Sequence, residues 1–145
     1  MRLEVAQRLG ASVTLVADEE PGQQIVDATA GHGVDVVLEA SGTESGLATA
    51  IGAVRKGGQI VLVGLHEEPR ALDLLDLSLR EIDIATTLAH ICATDLPQAV
   101  EILATPGLAA NVIDTVVTLD AFVEDGLVPL AEGRVRGKIV VDVAA

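Results

Sequence analysis

The sequence predicts an α/β fold, a parallel sheet flanked by helices, and three observations carry that prediction. Strand-like runs alternate with helix-patterned segments along the whole chain, the order that builds parallel strand–helix–strand units with right-handed crossovers. The clearest strand-like runs, VDVVLEA at 34–40 and QIVLVGL at 59–65, are nearly continuous in apolar residues, as strands covered on both faces are. The joins are short and punctuated by glycine or proline.

The elements follow in order. Residues 3–9 predict a helix, with Leu3, Val5, Ala6 and Leu9 apolar and Gly10 in the C-terminal stop position. Residues 12–17 are rich in β-branched side chains and predict a strand. The turn DEEPG leads into a helix over 23–30, broken by Gly31-His32-Gly33. The strand over 34–40 passes through a polar turn at 41–45 into a helix over 46–55. Leu47, Ile51 and Val54 share one face of that helix, and Lys56-Gly57-Gly58 stops it. The strand over 59–65 is the strongest in the sequence. A loop, HEEPRA, then precedes a short helical segment over 74–79 and a strand over 82–88. A helix over 96–104 ends at Pro106-Gly107. A strand over 112–119, a helix over 121–130 and a strand over 138–143 complete the chain. No repeat, linker or low-complexity tract interrupts the 145 residues, so a single domain over 1–145 is expected.

Composition excludes several classes of function. Nine basic and 22 acidic residues give a net charge of −13, the wrong sign for a phosphate-binding face, so neither a nucleic acid nor an anionic membrane is an expected partner. Phe122 is the one aromatic residue, which leaves no platform for stacking bases and requires an aliphatic core. Cys92 is the one cysteine, so there is no intrachain disulfide and no cysteine-cluster zinc site. No apolar run approaches the roughly 18 residues of a bilayer span. The opening MRLEVAQRLG is charged and helix-patterned, unlike a secretory leader, and a cytoplasmic location is expected.

The block VDVVLEASG, then an amphipathic helix, then RKGGQIVLVGL, resembles the nucleotide-binding domain of the medium-chain, zinc-dependent alcohol dehydrogenases. RLEVAQRLGA resembles the family's helix after its second strand. LREIDIATTLAHI resembles its sixth strand, RGKIVVDV its last, and GLHEEP is closest to the polyol, threonine and butanediol dehydrogenase branch. The resemblance implies an incomplete Rossmann-type sheet. The catalytic domain with its zinc ligands has no counterpart in this sequence. Nor do the first two Rossmann strands, the Gly-rich turn that seats the pyrophosphate, or the acidic residue that grips the adenosine ribose. Two local imitations are set aside. Gly31-His32-Gly33 precedes a strand instead of following one, and Gly133 to Lys138 has the wrong spacing for a P-loop, with Ile139 where a hydroxyl must hold magnesium.

Family roles carry over, position by position, to one half of a cleft for NAD or NADP. By resemblance, Glu39-Ala40-Ser41-Gly42 walls the adenine and its ribose, and Val63-Gly64-Leu65 faces the nicotinamide carboxamide. Thr87-Leu88-Ala89 also meets the nicotinamide, and Lys138 stands where many members place a cation against the pyrophosphate. Gly64 suits a chain passing close to a ligand without a Cβ. Gly42 and Gly64 read equally well as ordinary strand-end glycines, and Lys138 as a solvated charge. His90 and Cys92 are expected at a strand end, partly packed; as a metal pair they supply two of the four ligands a tetrahedral zinc needs, so zinc is not expected. His66 is expected in the loop near the cleft, and the Glu67-Glu68 and Glu19-Glu20 pairs on solvated loops.

The resemblance also raises a packing question. In the strand order 3-2-1-4-5-6, absence of strands 1 and 2 strips the strand over 12–17 of its neighbour and opens an edge on the strand over 34–40. Each buried backbone group left unpaired costs about 1–3 kcal/mol. The 12–17 strand could slide over to that edge, a second copy could pair with it, or a separately made N-terminal half could supply the strands. A homodimer through the strand from Ile82 to Leu88 is expected, as in the family. The implied function is that of the C-terminal nucleotide-binding part of a zinc-type NAD(P)-dependent alcohol or polyol oxidoreductase, inactive alone, with no catalytic residue in this chain. The alternative is a non-catalytic module that acts in assembly through its sheet edges.

Overall fold

Alternation of strand and helix is realised in two compact units, one of residues 13–89 and one of residues 1–12 with 90–145. The computed structural model describes residues 2–17, 20–89 and 91–144. All described strand pairs are parallel, as the apolar strand pattern predicts, and they form two sheets instead of one.

In the unit of residues 13–89 the sheet order is β1 (Val34–Glu39), β2 (Val54–Leu62), β3 (Asp83–Thr86). Helix α2 (Pro21–Ala28) begins on Pro21, whose fixed φ and missing N–H suit a first turn. Helix α3 (Glu44–Ala53) is capped by Thr43, whose hydroxyl accepts from the Gly46 amide at 3.0 Å. It buries Leu47, Ala50 and Ala53, so the inward face is turned from the expected Leu47, Ile51 and Val54. Val54 belongs instead to β2. The core is small and aliphatic: Ala50, Val54 and Ile60, with Val37, Ile51, Leu62 and Ile82 packed against them. Ile60 is fully buried at the centre of the middle strand.

Three expectations need correction in this unit. Residues 12–17 form no strand. β-branched content favours an extended chain, but a strand exists only where a neighbour supplies the ladder, and no described strand runs beside this segment. The proposed slide onto the 34–40 edge is not taken, and β1 remains the edge of its sheet. Second, Lys56-Gly57-Gly58 does not separate helix from strand. It lies inside β2, where a bulge between the Val34 and Val36 pairings absorbs the irregularity and the Gly57 amide donates to Arg80 O at 2.8 Å. Third, the strands end early, at Leu62 and at Thr86 instead of Leu65 and Leu88. The Val63 and Gly64 amides both turn to Glu39 O at 2.8 Å.

Helix α4 (Leu74–Leu79) matches its expected bounds. Asp73 caps it, accepting from the Leu75 and Asp76 amides at 3.0 and 3.1 Å. Behind it, Arg80 reaches back to the end of α3. Its Nη1 donates to Ile51 O and to Asp76 Oδ2, each at 3.0 Å, and its Nη2 donates to Val54 O.

In the other unit, α1 (Arg2–Arg8) ties to α6 (Leu108–Val112) through Arg8 Nε, which donates to Asn111 Oδ1 at 3.1 Å. Strands β4 (Ile113–Thr118) and β5 (Lys138–Asp142) pair in parallel, and Val117 is buried in β4. Helix α5 (Cys92–Leu103) starts one turn before the expected position. Asp95 explains the earlier start, since its carboxylate accepts from the Ile91 amide at 2.7 Å and from the Thr94 hydroxyl at 2.9 Å. The expected helix over 121–130 is a π-helical turn, Phe122–Leu127, followed by α7 (Val128–Ala131).

Candidate functional site

The register of the three-stranded sheet sets the site. Glu39 is opposite Leu62, and Leu62 is opposite Thr86, so Ser41-Gly42, Val63-Gly64-Leu65 and Thr87-Leu88-Ala89 all follow the same C-terminal rim. That rim is where open parallel sheets bind ligands. Thr87 is held to the middle strand by its amide, which donates to Leu62 O at 3.2 Å. Leu65 and Leu88 are strongly exposed, at 71% and 77%, which leaves two large apolar side chains on this rim facing solvent. Lys138 is the first residue of β5, is exposed, and belongs to the unit of residues 1–12 and 90–145.

The centre of the rim is a carboxylate. Glu39 ends β1 and is 4% exposed, although nothing about the run VDVVLEA marks its last polar residue as buried. A buried carboxylate needs donors, and Glu39 has them. Its Oε1 accepts from the Ser41 amide at 2.8 Å, from the Ser41 hydroxyl, and from the Gly42 amide at 3.2 Å. Its Oε2 accepts from His66 Nε2 at 3.0 Å. Burial pushes the Glu39 carboxyl up, but the bonds from Ser41, Gly42 and His66 outweigh it and hold the group below the ordinary glutamate value.

That depression has a consequence for stability. A carboxylate with a lowered folded-state value contributes stability above its unfolded value, about 4.3, and loses it as pH falls through the folded value. The variant Glu39→Gln is therefore expected to be less stable than the parent at neutral pH. The gap should close as acid protonates Glu39, which urea unfolding at a series of pH values measures. A gap constant from neutral pH to about pH 3 would contradict the assignment.

His66 is in the loop after β2, as expected, but its partner was not visible in the sequence: 27 residues separate it from Glu39. Because an ionised carboxylate only accepts, Nε2 carries the proton in this bond. Nδ1 is buried with no hydrogen-bond partner, as is Arg70 Nε in the same loop. The two rim glycines serve this cluster. Gly42 has φ +66, the left-handed region. A Cβ on Gly64 would overlap the Gly42 amide nitrogen and stand 2.9 Å from Glu39 Oε2. The space that Gly64 leaves open is thus filled by the neighbouring loop of the protein itself.

The cluster limits what the rim can do. The Ser41 and Gly42 amides are engaged by Glu39, and the Val63 and Gly64 amides by its carbonyl, so these donors are already satisfied within the chain. What faces outward includes the exposed apolar side chains of Leu65 and Leu88. An open trough of about 940 Å³ runs along the free edge of β1 up to this rim, lined by Ile25, Val34, Val36, Leu38, Glu39 and Ser41 among others.

Among the described residues no group of three His, Cys, Asp or Glu side chains could hold a metal ion. Cys92 is exposed at the start of α5, not at a strand end, because Asp95 draws the helix back to include it; His90 lies outside the described residues. No described helix is long and apolar enough to cross a membrane.

Comparison with known proteins agrees with this geometry. Residues 1–105 match the family model described as zinc-binding dehydrogenase. The chain is 36% identical over 106 residues to sorbitol dehydrogenase of Homo sapiens, covering 71% of this chain and 29% of that protein. It is 36% identical over 74 residues to L-threonine 3-dehydrogenase of Bacillus velezensis, covering 50% of this chain and 21% of the relative. Among solved structures, 2R,3R-butanediol dehydrogenase from Bacillus subtilis superposes with a TM-score of 0.82 at 23% identity, over 95% of this chain and 40% of that one. The chain thus spans under a third of the length of these curated relatives and about two-fifths of the solved structure. With the family model matched over most of its length and the parallel sheet in agreement, the chain belongs to the zinc-binding dehydrogenase family.

Proposed function

We propose that this chain is the C-terminal, nucleotide-binding part of a zinc-type alcohol or polyol oxidoreductase, and that its three-stranded rim holds part of NAD or NADP. The observation that supports this most is the register that gathers Ser41, Gly42, Val63, Gly64, Leu65, Thr87, Leu88 and Ala89 at one end of three adjacent parallel strands. The nicotinamide, when bound, supplies the hydride-accepting ring. The chain's own residues bind and orient it: backbone at Val63 to Leu65 and at Thr87 to Ala89, with Leu65 and Leu88 giving apolar contact. Lys138, an exposed cation at the start of β5, is the residue that the family resemblance implies for the pyrophosphate. Because the described residues offer no metal site, no alcohol-activating step is assigned to them.

Titration of NADH into the purified protein tests this reading. With no Trp and no Tyr in the chain, the nucleotide's own fluorescence is read without interference. Weak but saturable binding is expected, with no oxidation of sorbitol, L-threonine or 2,3-butanediol in the presence of NAD or NADP. Absence of any saturable signal would favour the assembly-module alternative, to which the free edge of β1 lends support.

The same reading includes a homodimer. β3 is the other edge of its sheet and carries the partly exposed Ile84, so two copies can pair there. Light scattering at micromolar concentration should give twice the chain mass, and a monomer would remove this part of the proposal. The single cysteine, which allows no intrachain disulfide, suits a reducing, cytoplasmic compartment.

A further inference from the structure

We propose that Glu39 and His66 form a positioning pair for the nucleotide rim, with the imidazole held as its Nε2–H tautomer so that the loops after β1 and β2 keep one relative placement. This rests on the reading of the rim as a nucleotide site, but the pair is defined by its own geometry. Glu39 bonds both loops through side chain and backbone. Its carboxylate accepts from Ser41 and Gly42 on the first loop and from His66 on the second, and its carbonyl accepts from Val63 and Gly64. The loops are in backbone contact where Gly64 meets Gly42, so they shift together or not at all. Charge-assisted bonds to a buried carboxylate are the strong kind, and this one is 2% exposed at its side chain against 14% for the imidazole.

The pair acts through placement and touches no reacting atom. Four of the residues assigned to the nucleotide, Ser41, Gly42, Val63 and Gly64, take their backbone position from bonds to Glu39. Leu65 lies between Gly64 and His66. His66 is therefore the clasp that joins the free end of the second loop to the first. The loop's other buried polar atom, Arg70 Nε, has no hydrogen-bond partner.

The test uses the whole chain with Glu39→Gln, His66→Ala and His66→Gln. Nitrogen–proton correlation spectra of the imidazoles, assigned through the His66 variants, should report Nε2–H for His66 in the parent and a changed tautomer balance in Glu39→Gln. Glutamine at 66 keeps a donor for the carboxylate, whereas alanine keeps none. Amide exchange at Gly42, Val63 and Gly64 should accelerate roughly tenfold in His66→Ala and return close to the parent in His66→Gln. NADH affinity should follow, weakening about tenfold in the alanine variant and recovering in the glutamine one. An Nδ1–H tautomer in the parent would overturn the pair. So would exchange that ignores His66→Ala, or equal loss of affinity in both His66 variants. If the parent protein binds no NADH, the nucleotide reading falls alone, and the tautomer and exchange results still decide the pair.

Discussion

Alanine in place of Gly64 should destabilise the protein by about 3 kcal/mol or more. The new Cβ would overlap the Gly42 amide nitrogen and stand 2.8 Å from Gly42 Cα and 2.9 Å from Glu39 Oε2. None of these atoms is the free end of a flexible chain. Gly42 is held by its amide on Glu39 and by its left-handed φ, and Glu39 is held by Ser41 and His66. Relief requires the loops after β1 and β2 to part, breaking bonds to a buried carboxylate. Thermal unfolding should fall by about 10 °C. If Gly64→Ala melted like the parent, the backbone contact between the loops would be wrong. A substitution meant to fill space near a ligand would behave differently, sparing stability and weakening only nucleotide binding.

Replacing Arg80 by alanine should cost about 2–3 kcal/mol, an effect no local pattern announces. Its guanidinium satisfies Ile51 O and Val54 O at the C-terminal end of α3, where helix carbonyls lack intrahelical partners, and also pairs with Asp76. A cation there further suits the negative end of the helix dipole. Alanine leaves both carbonyls without this donor and removes the tie between α4 and α3. Lysine cannot fork to two carbonyls, so Arg80→Lys should recover less than half of the loss. Urea unfolding of the two variants measures the difference, and equal stability of both with the parent would refute the clamp.

Local elements were legible in the sequence because their causes are local. The bounds of α4 follow from Asp73 and the leucines after it, and two of the three strands of the larger sheet were placed by their nearly continuous apolar runs. Two of the failures have one physical form, a strand partner distant in the chain. Residues 12–17 have strand-like side chains but no strand beside them. Lys56-Gly57-Gly58 reads as a stop, yet pairing with β1 and the bond from Gly57 to Arg80 draw it into β2. Cys92 moved from a strand end to a helix start because Asp95, a few residues on, caps the turn.

The candidate site divides in the same way. Ser41, Gly42, Val63 to Leu65 and Thr87 to Ala89 could be named from strand ends alone, since parallel strands present their C-terminal ends on one side. Glu39 as the hub and His66 as its partner could not. The one available signal was an acidic residue closing a run rich in apolar residues, and a carboxylate that folding buries demands donors without the sequence saying where they come from.

By itself the sequence determined the α/β class, the parallel strands, the aliphatic core and the acidic surface, together with motifs that resemble one dehydrogenase family. Each depends on residue type and periodicity over a few neighbours. Only the tertiary structure decided that the strands divide into two sheets, that Gly64 makes room for Gly42 and Glu39, and that a carboxylate joins two loops at the rim. Those facts depend on which distant groups meet, and a buried charge or a backbone contact takes its partner from the whole fold.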